Sequence, residues 1–551
     1  MEHHQKQVQS SDVTSLKMND ENSELDSRTL TELADEVWDV AVIGTGMGGA
    51  TVGYELAKAG HRVIFLEKGH ADFLHADDEL LLDCEEPSER LRNGNWPTKI
   101  TSCIAGIRSQ FFAPLGCGAG GSTLIYAAAL ERFDPSDFVT PSKTDYSMNG
   151  WPISFEQLQP YYRNAEKLFK VSGTWDPLCP DEGSQLLTPP RLTKYDEHFF
   201  ESFKASGLHP YRLHVACAYE PGCTECGGYI CKRKCKGDAK TVCLEPALRT
   251  GNARIIDRCE VERLDANASE VREITGQRDG EKITIRAKIV VLAAGAYFTP
   301  VLLLKSGNEY WPNGLANTSD MVGRNLMFHI SDFIAIWPRE KYPKQEPHKT
   351  LAFRDFYSHR GVKLGSVQST GLSAGYGNIM YFLTTAFDRS RLSWLKLVRP
   401  LLRIPAYIAS VIFGRATIFA TILEDKPYPE NRIVLDPQEP SGMRFDYAVH
   451  VELRERISEL RNLIKKTLTR NHLMVISPEI SLNFGHPSGT CRFGTDPTSS
   501  VLDANNKAHG LENLYVVDAS FMPTSGGANP SLTIAANAMR VAEHIINTLR
   551  A

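Results

Sequence analysis

Residues 38–49 read WDVAVIGTGMGG, a short apolar strand that runs straight into a glycine-rich turn. Small and apolar residues then recur at helical spacing between Ala50 and Gly60. Residues 61–67 read HRVIFLE, which is typical of a second strand. The order strand, turn, helix, strand predicts a βαβ unit within a parallel sheet.

The residues of this turn have separate roles in holding a dinucleotide. Gly44 makes the tight turn, Gly46 lets a pyrophosphate approach the backbone, and Gly49 lets the helix pack on the strand. The helix that starts near Met47 offers free N–H groups and a positive dipole to the phosphates. Glu67, 23 positions after Gly44, can accept hydrogen bonds from a ribose diol. An acid at this place disfavours a 2′-phosphate, so the unit predicts a site for FAD or NAD.

The composition is that of a packed enzyme with more than one core. The chain has 551 residues, of which 42% are apolar, with 61 Lys and Arg against 66 Asp and Glu. An ordinary domain holds roughly 100–200 residues, so we expect at least two lobes. The mild negative charge leaves no basic stripe for a nucleic-acid backbone, so we expect no nucleic-acid partner.

We expect the N-terminal segment to be neither a secretory signal nor a mitochondrial-type presequence. Residues 1–36 are polar and mixed in charge, and we expect a disordered tail there. The longest apolar candidate, residues 404–414, is bounded by Arg403 and Arg415 and falls short of the roughly 20 residues that cross a bilayer. Without an export signal we expect the twelve cysteines to be reduced or metal-bound and the protein to be cytoplasmic.

Two further segments fit a cofactor-binding sheet. Residues 287–295, AKIVVLAAG, form an almost wholly apolar strand, as expected for a strand buried on both faces of a parallel sheet. Residues 116–123, GCGAGGST, offer consecutive backbone donors that can fold over a cofactor.

The last helix of the chain favours FAD over NAD. Residues 514–520 form a strand, and Asn529 then suits a helix N-cap with Pro530 in the first turn. Small and apolar residues form a stripe along the helix: Ala535, Ala538, Ala542, Ile545 and Leu549. The amides at the helix start would stabilise the negative charge of a reduced isoalloxazine, a demand that NAD does not make.

Together these segments resemble the glucose-methanol-choline (GMC) oxidoreductases, FAD enzymes that oxidise alcohols. The resemblance runs from about Trp38 to the C-terminus and is weak only in residues 1–36 and roughly 331–480. The other matching blocks are GWPIS at 150–154, PYY at 160–162, VGRNL at 322–326 and HPSGTCRFG at 486–494. The FAD contacts that the resemblance implies are Gly44, Gly46, Met47, Gly49, Glu67, Gly120, Gly121, Ser122, Val261, Gly295, Asp518, Ala519 and Pro530.

The resemblance also implies the fold class and the binding mode. The expected fold is α/β, a Rossmann-like FAD-binding domain with a parallel sheet and βαβ units, joined to an α+β substrate-binding domain. Residues 37–330 and 485–551 would form the FAD-binding domain, with a cysteine-rich insertion around 217–243, and residues 331–484 the substrate-binding domain. Members with covalent flavin carry a histidine where this chain has Ile125, so we expect non-covalent FAD. Tyr126 departs from the asparagine that many members have.

Oxidising an alcohol requires a hydride acceptor, which flavin N5 supplies, and a base for the hydroxyl proton. Histidine, with an ordinary pKa of about 6.5, suits the base. His486 stands on a predicted loop between turn formers and matches the family's catalytic histidine. Asn529 matches the second catalytic position, where its amide could donate a hydrogen bond to an alkoxide-like oxygen, unless it serves only as the N-cap. His329 is a lesser candidate that we expect to be structural.

A cluster of cysteines remains unexplained by the resemblance. Cys223, Cys226, Cys231 and Cys235 fall within thirteen residues, and Cys217 and Cys243 flank them. Thiolates at short spacing could hold zinc or an iron–sulfur cluster, but this spacing fits neither a bacterial ferredoxin run nor a zinc ribbon. We expect structural thiols or disulfides and no metal, although a metal stays open.

The substrate is less sharply indicated than the cofactor. Residues 393–414 mix basic and apolar side chains and could contact a membrane surface peripherally or cover an apolar tunnel, although a partly buried helix pair is the simplest interpretation. A tunnel would favour a hydrophobic alcohol, such as a long-chain, terpenoid or steroid alcohol, and a sugar or polyol is the alternative. Oxygen, a quinone or a redox protein could accept the electrons. A non-redox flavoprotein lyase and an electron-relay module built on the cysteines are the competing functions.

Overall fold

The computed structural model describes residues 30–72, 84–139, 150–179, 183–221, 223, 225–338, 349–371, 376–388, 390, 394–414, 416–477 and 479–550. Most of the predicted tail, residues 1–29, lies outside this description. Residues Leu30–Asp35 form a helix, α1, in which Leu33 is buried and accepts a 3.0 Å hydrogen bond from the indole of Trp38. The disordered tail predicted for residues 1–36 therefore has to end before α1.

Helices and strands alternate near the start of the chain, and runs of consecutive strands follow further along. The remaining helices are α2 (Met47–Lys58), α3 (Pro87–Arg92), α4 (Phe155–Leu168), α5 (Lys194–Ala205), α6 (Glu245–Arg249), α7 (Gly295–Lys305), α8 (Tyr376–Asp388), α9 (Arg403–Phe413), α10 (Val451–Thr467) and α11 (Ser531–Arg550). Short 3-10 turns are Gly121–Leu124, Pro135–Phe138, Lys396–Leu402 and Ala519–Phe521, and Lys240–Leu244 is a π-helical turn. The strands are β1 (Val37–Ile43), β2 (Val63–Leu66), β3 (Ile100–Ile104), β4 (Ile107–Phe111), β5 (Tyr211–Arg212), β6 (Ala253–Ile256), β7 (Cys259–Ala266), β8 (Val271–Arg278), β9 (Glu281–Leu292), β10 (Met327–Ile330), β11 (Phe333–Trp337), β12 (Leu351–Phe353), β13 (Ser358–His359), β14 (Val362–Lys363), β15 (Gly365–Ser369), β16 (Thr417–Leu423), β17 (Arg432–Leu435), β18 (Met443–Tyr447), β19 (His472–Val475), β20 (Leu482–Ser488) and β21 (Leu514–Val516).

The first sheet is the predicted nucleotide-binding sheet. Among the described residues it has seven strands in the order β6-β2-β1-β9-β8-β7, with β21 beside β9. β1 pairs in parallel with β2, where Val40 faces Val63, and with β9, where Ile43 faces Leu292. All four residues of β2 are buried, as expected in a parallel sheet covered by helices. The predicted Rossmann-like α/β fold is confirmed.

A second sheet contains most of the strands of the predicted substrate-binding domain. Within the described ranges it has eight strands, in the order β19-β11-β16-β15-β12-β5, with β10 joining β16 to β20. Helix α10 buries Leu453, Ile457, Leu460 and Ile464 in the same apolar cluster as strand residues such as Phe419. These four positions recur every three or four residues, so they form one apolar face of the helix.

The sheets cross the domain boundaries that the sequence suggested. β10 ends at residue 330 and β20 spans residue 485, yet both belong to the second sheet. A third, four-stranded sheet pairs β3 in parallel with β18, so residues 100–111 join a strand of the predicted substrate-binding domain although they precede the glycine-rich loop at residues 116–123. The chain thus passes between the two lobes more often than a division at residues 330 and 485 allows. None of the helices in the described ranges combines the length and apolar character that a bilayer crossing requires.

Candidate active site

The glycine-rich turn lies where β1 and β9 end side by side. Gly44 has φ +95°, and a Cβ added there would collide with the carbonyl oxygen of Ala293. A Cβ on Gly49 would collide with the carbonyl oxygen of Gly44, so α2 reaches this close packing only with glycine. The structure therefore supports the separate roles that the sequence suggested for these two glycines.

The second glycine loop closes over this turn. A Cβ added to Gly121 would lie 2.8 Å from the Cα of Gly46, so the two loops touch backbone to backbone. Ser122 accepts a 3.1 Å hydrogen bond from the amide of Gly116 through its hydroxyl, which holds the loop closed. The start of α2, at Met47, thus lies beneath a second layer of backbone.

Glu67 ends β2 with its carboxylate fixed in place. One carboxylate oxygen accepts hydrogen bonds from the amide and hydroxyl of Thr45 at 3.1 and 2.6 Å, and the other accepts from the amide of Gly69 at 3.0 Å. Burial raises the pKa of Glu67, and these hydrogen bonds oppose that rise. The carboxylate is therefore a pre-oriented acceptor at the cavity wall.

One cavity of about 2080 Å³ connects the glycine turn to the far side of the molecule. A pocket for a small ligand usually encloses about 300–1,000 Å³, so there is room here for a dinucleotide and a substrate together. Thirteen of the fifteen predicted site residues line the cavity: Gly44, Gly46, Met47, Glu67, Gly121, Ser122, Val261, Gly295, His486, Asp518, Ala519, Asn529 and Pro530. A cavity of this size, with two glycine-rich loops at one end, fits FAD.

The two remaining predicted residues lie behind the cavity wall. Gly49 packs beneath the turn, and Gly120 donates its amide to the hydroxyl of Thr45 at 3.2 Å. Both shape the turn, and the prediction that they contact the cofactor directly is not supported by the cavity lining.

Asp518 joins two cofactor-side elements. One of its carboxylate oxygens accepts from the amide of Gly295 at 3.0 Å and the hydroxyl of Thr299 at 2.5 Å. The other accepts from the amide and hydroxyl of Ser520 at 2.9 and 2.6 Å. Burial raises its pKa, and the four hydrogen bonds counter this effect. The carboxylate therefore fastens the start of α7 to the segment that follows β21.

Asn529 is not the N-cap that the sequence suggested. Helix α11 begins at Ser531, and Ile534 donates its amide to the carbonyl of Pro530 at 3.0 Å, so Pro530 occupies the cap position. Within the described residues, the buried Oδ1 of Asn529 has no hydrogen-bond partner. The side chain is thus not committed to the helix and is available at the cavity.

His486 lies on a distorted strand rather than on the predicted loop. β20 pairs with β10 through Ser488 opposite Met327 and Asn483 opposite His329. Four residues of β20 lie between these pairs, where β10 has one, so the turn formers around His486 produce a bulge instead of ending the strand. The bulge moves His486 out of the regular hydrogen-bond ladder, and His486 lines the cavity.

His329, expected to be structural, is the direct partner of His486. Their Nδ1 atoms lie 3.0 Å apart, and His329 Nε2 lies 2.9 and 3.0 Å from the carbonyl oxygens of Ser525 and Gly526. Carbonyls only accept, so His329 carries its proton on Nε2. Burial lowers the pKa of His329 to about 4, which keeps the ring neutral and makes its Nδ1 an acceptor.

This arrangement fixes the tautomer of His486. Its Nδ1 must donate to His329, which leaves Nε2 with a lone pair. The amide nitrogen of Asn483 also lies 3.3 Å from this Nδ1 but can donate instead to Ser331 Oγ, likewise at 3.3 Å. Burial, then His329 and Lys349, lower the pKa of His486 to about 3. His486 is therefore a neutral imidazole with an acceptor nitrogen.

Two charged residues that the sequence analysis did not select also line the cavity. Lys349 donates its amide to Glu225 at 2.8 Å and its ammonium group to the carbonyl of Ala127. Burial lowers the pKa of Lys349 to about 8, against the opposing effect of Glu225. Within the described residues, Oε1 of Glu225 accepts no hydrogen bond. Glu225 has a positive φ, and a sequence does not reveal such a backbone conformation.

The described cysteines contact one another through their thiols, and Cys223 has side-chain hydrogen bonds with both Cys217 and Cys235. The sulfur atoms of Cys217 and Cys223 lie 3.4 Å apart. A hydrogen bond from Cys226 lowers the pKa of Cys231 to about 5, although burial opposes this. In the part of the chain that the structure describes, no three His, Cys, Asp or Glu residues are placed to hold a metal. Whether the cysteines form disulfides stays a prediction.

The far part of the cavity is apolar. It is lined by Phe333 and Ile418, which lie on adjacent strands of the second sheet. Ile379 from α8 and Phe413 from α9 also line it. Helices α8 and α9 therefore form a helical cover over this part, and α9 lies in the segment for which a tunnel cover was one of the sequence hypotheses.

A dinucleotide cradle joined to a buried imidazole within one cavity defines a nucleotide-dependent oxidoreductase. The chain belongs to the GMC oxidoreductase family, since family models of that description match residues 42–331 and 427–538. The predicted family is confirmed. The protein is therefore an FAD-dependent enzyme that acts on alcohol groups, and its family binds FAD, typically non-covalently.

Similar proteins extend over nearly the whole chain. The 6'''-hydroxyparomomycin C oxidase of Streptomyces lividus is 28% identical, covering 94% of this chain and 93% of that protein. The 2-methyl-1,2-propanediol dehydrogenase of Mycolicibacterium austroafricanum is also 28% identical, covering 94% and 96%. The crystal structure of pyridoxine 4-oxidase from Mesorbium loti superposes with a TM-score of 0.62 at 19% identity, covering 92% of this chain and 99% of that one. This last likeness supports the fold.

Proposed function

We propose that the protein oxidises a CH–OH group to a carbonyl with His486 as the base. The observation that carries this proposal is the hydrogen-bond chain from the Ser525 and Gly526 carbonyls through His329, which leaves Nε2 of His486 as a free acceptor. FAD, when bound, supplies N5 as the hydride acceptor. The substrate hydroxyl donates to Nε2 and transfers its proton there as the C–H bond breaks.

The partners of His486 stabilise the charge that this transfer creates. The protonated ring keeps donating from Nδ1 to the neutral His329, whose own N–H is held by two carbonyls. Asn529, which is not used as a cap, donates its amide N–H to the substrate oxygen while negative charge develops there. The two side chains thus act on the same oxygen, one as acceptor and one as donor.

The apolar part of the cavity supports a small hydrophobic alcohol as substrate. Phe333, Ile379, Ile418 and Phe413 offer no hydrogen bonds from their side chains, so an alkyl or ring portion would be bound there by burial of apolar surface. A polyol or amino alcohol is the second candidate. It is favoured by Glu225 and Lys349 on the cavity wall and by two relatives, which are named as a 6'''-hydroxyparomomycin C oxidase and a 2-methyl-1,2-propanediol dehydrogenase.

The electron acceptor is part of the same proposal. Relatives of this chain include proteins named oxidases and others named dehydrogenases. We therefore propose oxygen, or else a quinone or redox protein, as the final acceptor. Peroxide formed on admitting air to the substrate-reduced enzyme would select oxygen.

Anaerobic mixing of the holoenzyme with a panel of alcohols tests the function. The flavin absorbance should bleach with the right alcohol, and His486→Ala should slow the bleaching by at least about 10²-fold. Turnover without bleaching would instead indicate the non-redox lyase. Iron or zinc in the purified protein, with absorbance beyond that of flavin, would indicate an electron relay. Unchanged bleaching in His486→Ala would remove His486 from the mechanism.

A further inference from the structure

The outer face of the helical cover is apolar. Leu397 is 94% exposed and Trp394 73%. Six more large apolar side chains in this segment are more than half exposed: Leu401, Ile404, Tyr407, Ile408, Val411 and Ile412. Single exposed apolar residues are ordinary, but a contiguous patch of this kind marks an interaction surface. We call residues 394–412 the outer patch.

Helix α9 is amphipathic with its apolar face toward solvent. One face of the helix carries apolar residues at positions i, i+3, i+4 and i+7, which are Ile404, Tyr407, Ile408 and Val411. Ala406 is fully buried on the opposite face, and Ala409 and Phe413 line the cavity. The helix therefore has an inner face that covers the cavity and an outer face that no described residue covers.

The same segment is strongly basic in an acidic protein. Residues 388–415 contain six Arg and Lys and one Asp, whereas the whole chain has a net charge of −5. Arg403 is exposed within the outer patch, and Arg399 pairs with Asp388 at 3.4 Å. Apolar side chains beside basic groups match a bilayer surface, where hydrocarbon lies directly beneath anionic headgroups.

A second copy of the chain fits this surface less well. In a two-fold dimer the same patch faces itself, so the basic segments of the two copies would be brought together. Like charges at a shared apolar contact oppose association. The charge therefore favours an anionic partner.

We propose that the outer patch seats the protein on an anionic lipid surface without crossing it. α8 and α9 would lie at the boundary between headgroups and hydrocarbon, with the apolar part of the cavity directly behind them. This inference concerns the surface alone and does not depend on the identity of the alcohol or of the base.

Vesicle sedimentation of the holoenzyme tests the proposal. Wild type should bind vesicles of 70% phosphatidylcholine and 30% phosphatidylglycerol, and bind pure phosphatidylcholine vesicles at least about tenfold more weakly. The variant Ile404→Ser/Tyr407→Ser/Val411→Ser should lose at least about tenfold in partition to the anionic vesicles. A control with exposed apolar residues removed elsewhere, Leu187→Ser/Tyr310→Ser/Val451→Ser, should bind as wild type does. Both variants should keep their bound flavin.

A second measurement uses a single substitution in the outer patch in place of the triple variant. Brominated phosphatidylcholine mixed into the anionic vesicles should quench wild-type tryptophan fluorescence, and Trp394→Phe should abolish most of that quenching. The proposal is overturned if wild type binds neither vesicle, if it binds neutral vesicles equally well, or if the patch and control variants bind alike. It is also overturned if the patch variant only converts a dimer to a monomer.

Discussion

His486 and His329 are 157 positions apart in the chain, yet their Nδ1 atoms lie 3.0 Å apart. Each imidazole has one donor and one acceptor nitrogen when neutral, so the two carbonyls at His329 determine the proton positions on both rings. A base can accept a proton only through a nitrogen that holds a lone pair. The geometry therefore assigns His329 the role of a positioning residue.

Replacing His329 tests this role. His329→Leu removes the acceptor for His486 Nδ1, so the rate of flavin reduction should fall by about tenfold or more with little change in substrate affinity. His329→Asn can place an amide oxygen where Nδ1 stood and should recover most of the rate. Anaerobic stopped-flow separates the rate from the affinity. Equal rates in His329→Leu and wild type, or no recovery in His329→Asn, would contradict the assignment.

The buried histidines also predict the pH dependence of the reductive step. A lowered pKa means that His486 stays neutral as the pH falls, so the rate of flavin reduction should be flat from pH 8 to pH 5. With an ordinary pKa of about 6.5, about 97% of the imidazole would be protonated at pH 5 and the rate would fall about thirty-fold.

The control for this pH profile is Asp425, whose pKa is raised to about 6 by burial. Its carboxylate accepts from the amide of Phe328, next to His329, at 3.0 Å. An acidic limb that disappears in Asp425→Asn belongs to Asp425. A limb near pH 6.5 that persists in this variant would contradict the lowered pKa of His486.

At the scale of elements, the backbone amides at the start of α11 are left available at the cavity, because Pro530 holds the cap position. Pro530 has no side chain that can accept from the helix amides. Helix α4 shows the usual alternative, in which Ser154 accepts from the amide of Gln157 and the Gln157 side chain bonds back to Ser154.

This contrast gives a matched pair of substitutions. Ser154→Ala removes a working cap and should cost about 1 kcal/mol of stability without affecting flavin reduction. Asn529→Ala removes no cap hydrogen bond, so the free energy of unfolding measured in urea should stay within about 0.5 kcal/mol of wild type while flavin reduction slows. Loss of stability in Asn529→Ala comparable to that of Ser154→Ala would show that Asn529 serves the helix after all.

At the scale of the molecule, buried ion pairs tie the cofactor side to the substrate side. Arg354, just after β12, donates to the carboxylate of Glu131 at 3.0 Å and to the carbonyl of Arg132 at 2.6 Å. Although burial opposes it, His214 and Arg354 hold the pKa of Glu131 below its usual value. Arg132 in turn pairs with the buried Glu166 at 2.6 Å. The network joins the segment after the cofactor loop to the second sheet.

Removing one member of this network should destabilise the whole fold. Arg354→Leu removes the arginine partner of the buried Glu131 carboxylate, which should cost about 3–5 kcal/mol in urea unfolding of the holoenzyme. Arg249→Leu is the surface control, because its pair with Glu245 spans 3.9 Å and Arg249 is 61% exposed. That control should cost at most about 1 kcal/mol. Similar midpoints for the two variants would refute a structural role for the network.

The cofactor cradle could be predicted because its signals are local. The spacing of Gly44, Gly46 and Gly49 between two apolar strands, with Glu67 at the end of the second, is set by the period of one strand and one helix. The same local signals carried no information on which sheet β3 or β10 would join. The observed sheets therefore cross the domain boundaries that the sequence suggested. The local signals also misplaced the cap at Asn529, where the residue type suited two roles.

The sequence by itself thus determined the family, the FAD cradle and the identity of His486 as a candidate, through patterns that short stretches of backbone impose. The tertiary structure decided which groups meet: His329 against His486, Lys349 beside Glu225, and the apolar face of α9 turned outward. These contacts depend on strand register and on packing between distant segments. A one-residue shift between paired strands would reverse the direction of every side chain and separate these partners, and no local pattern encodes that register.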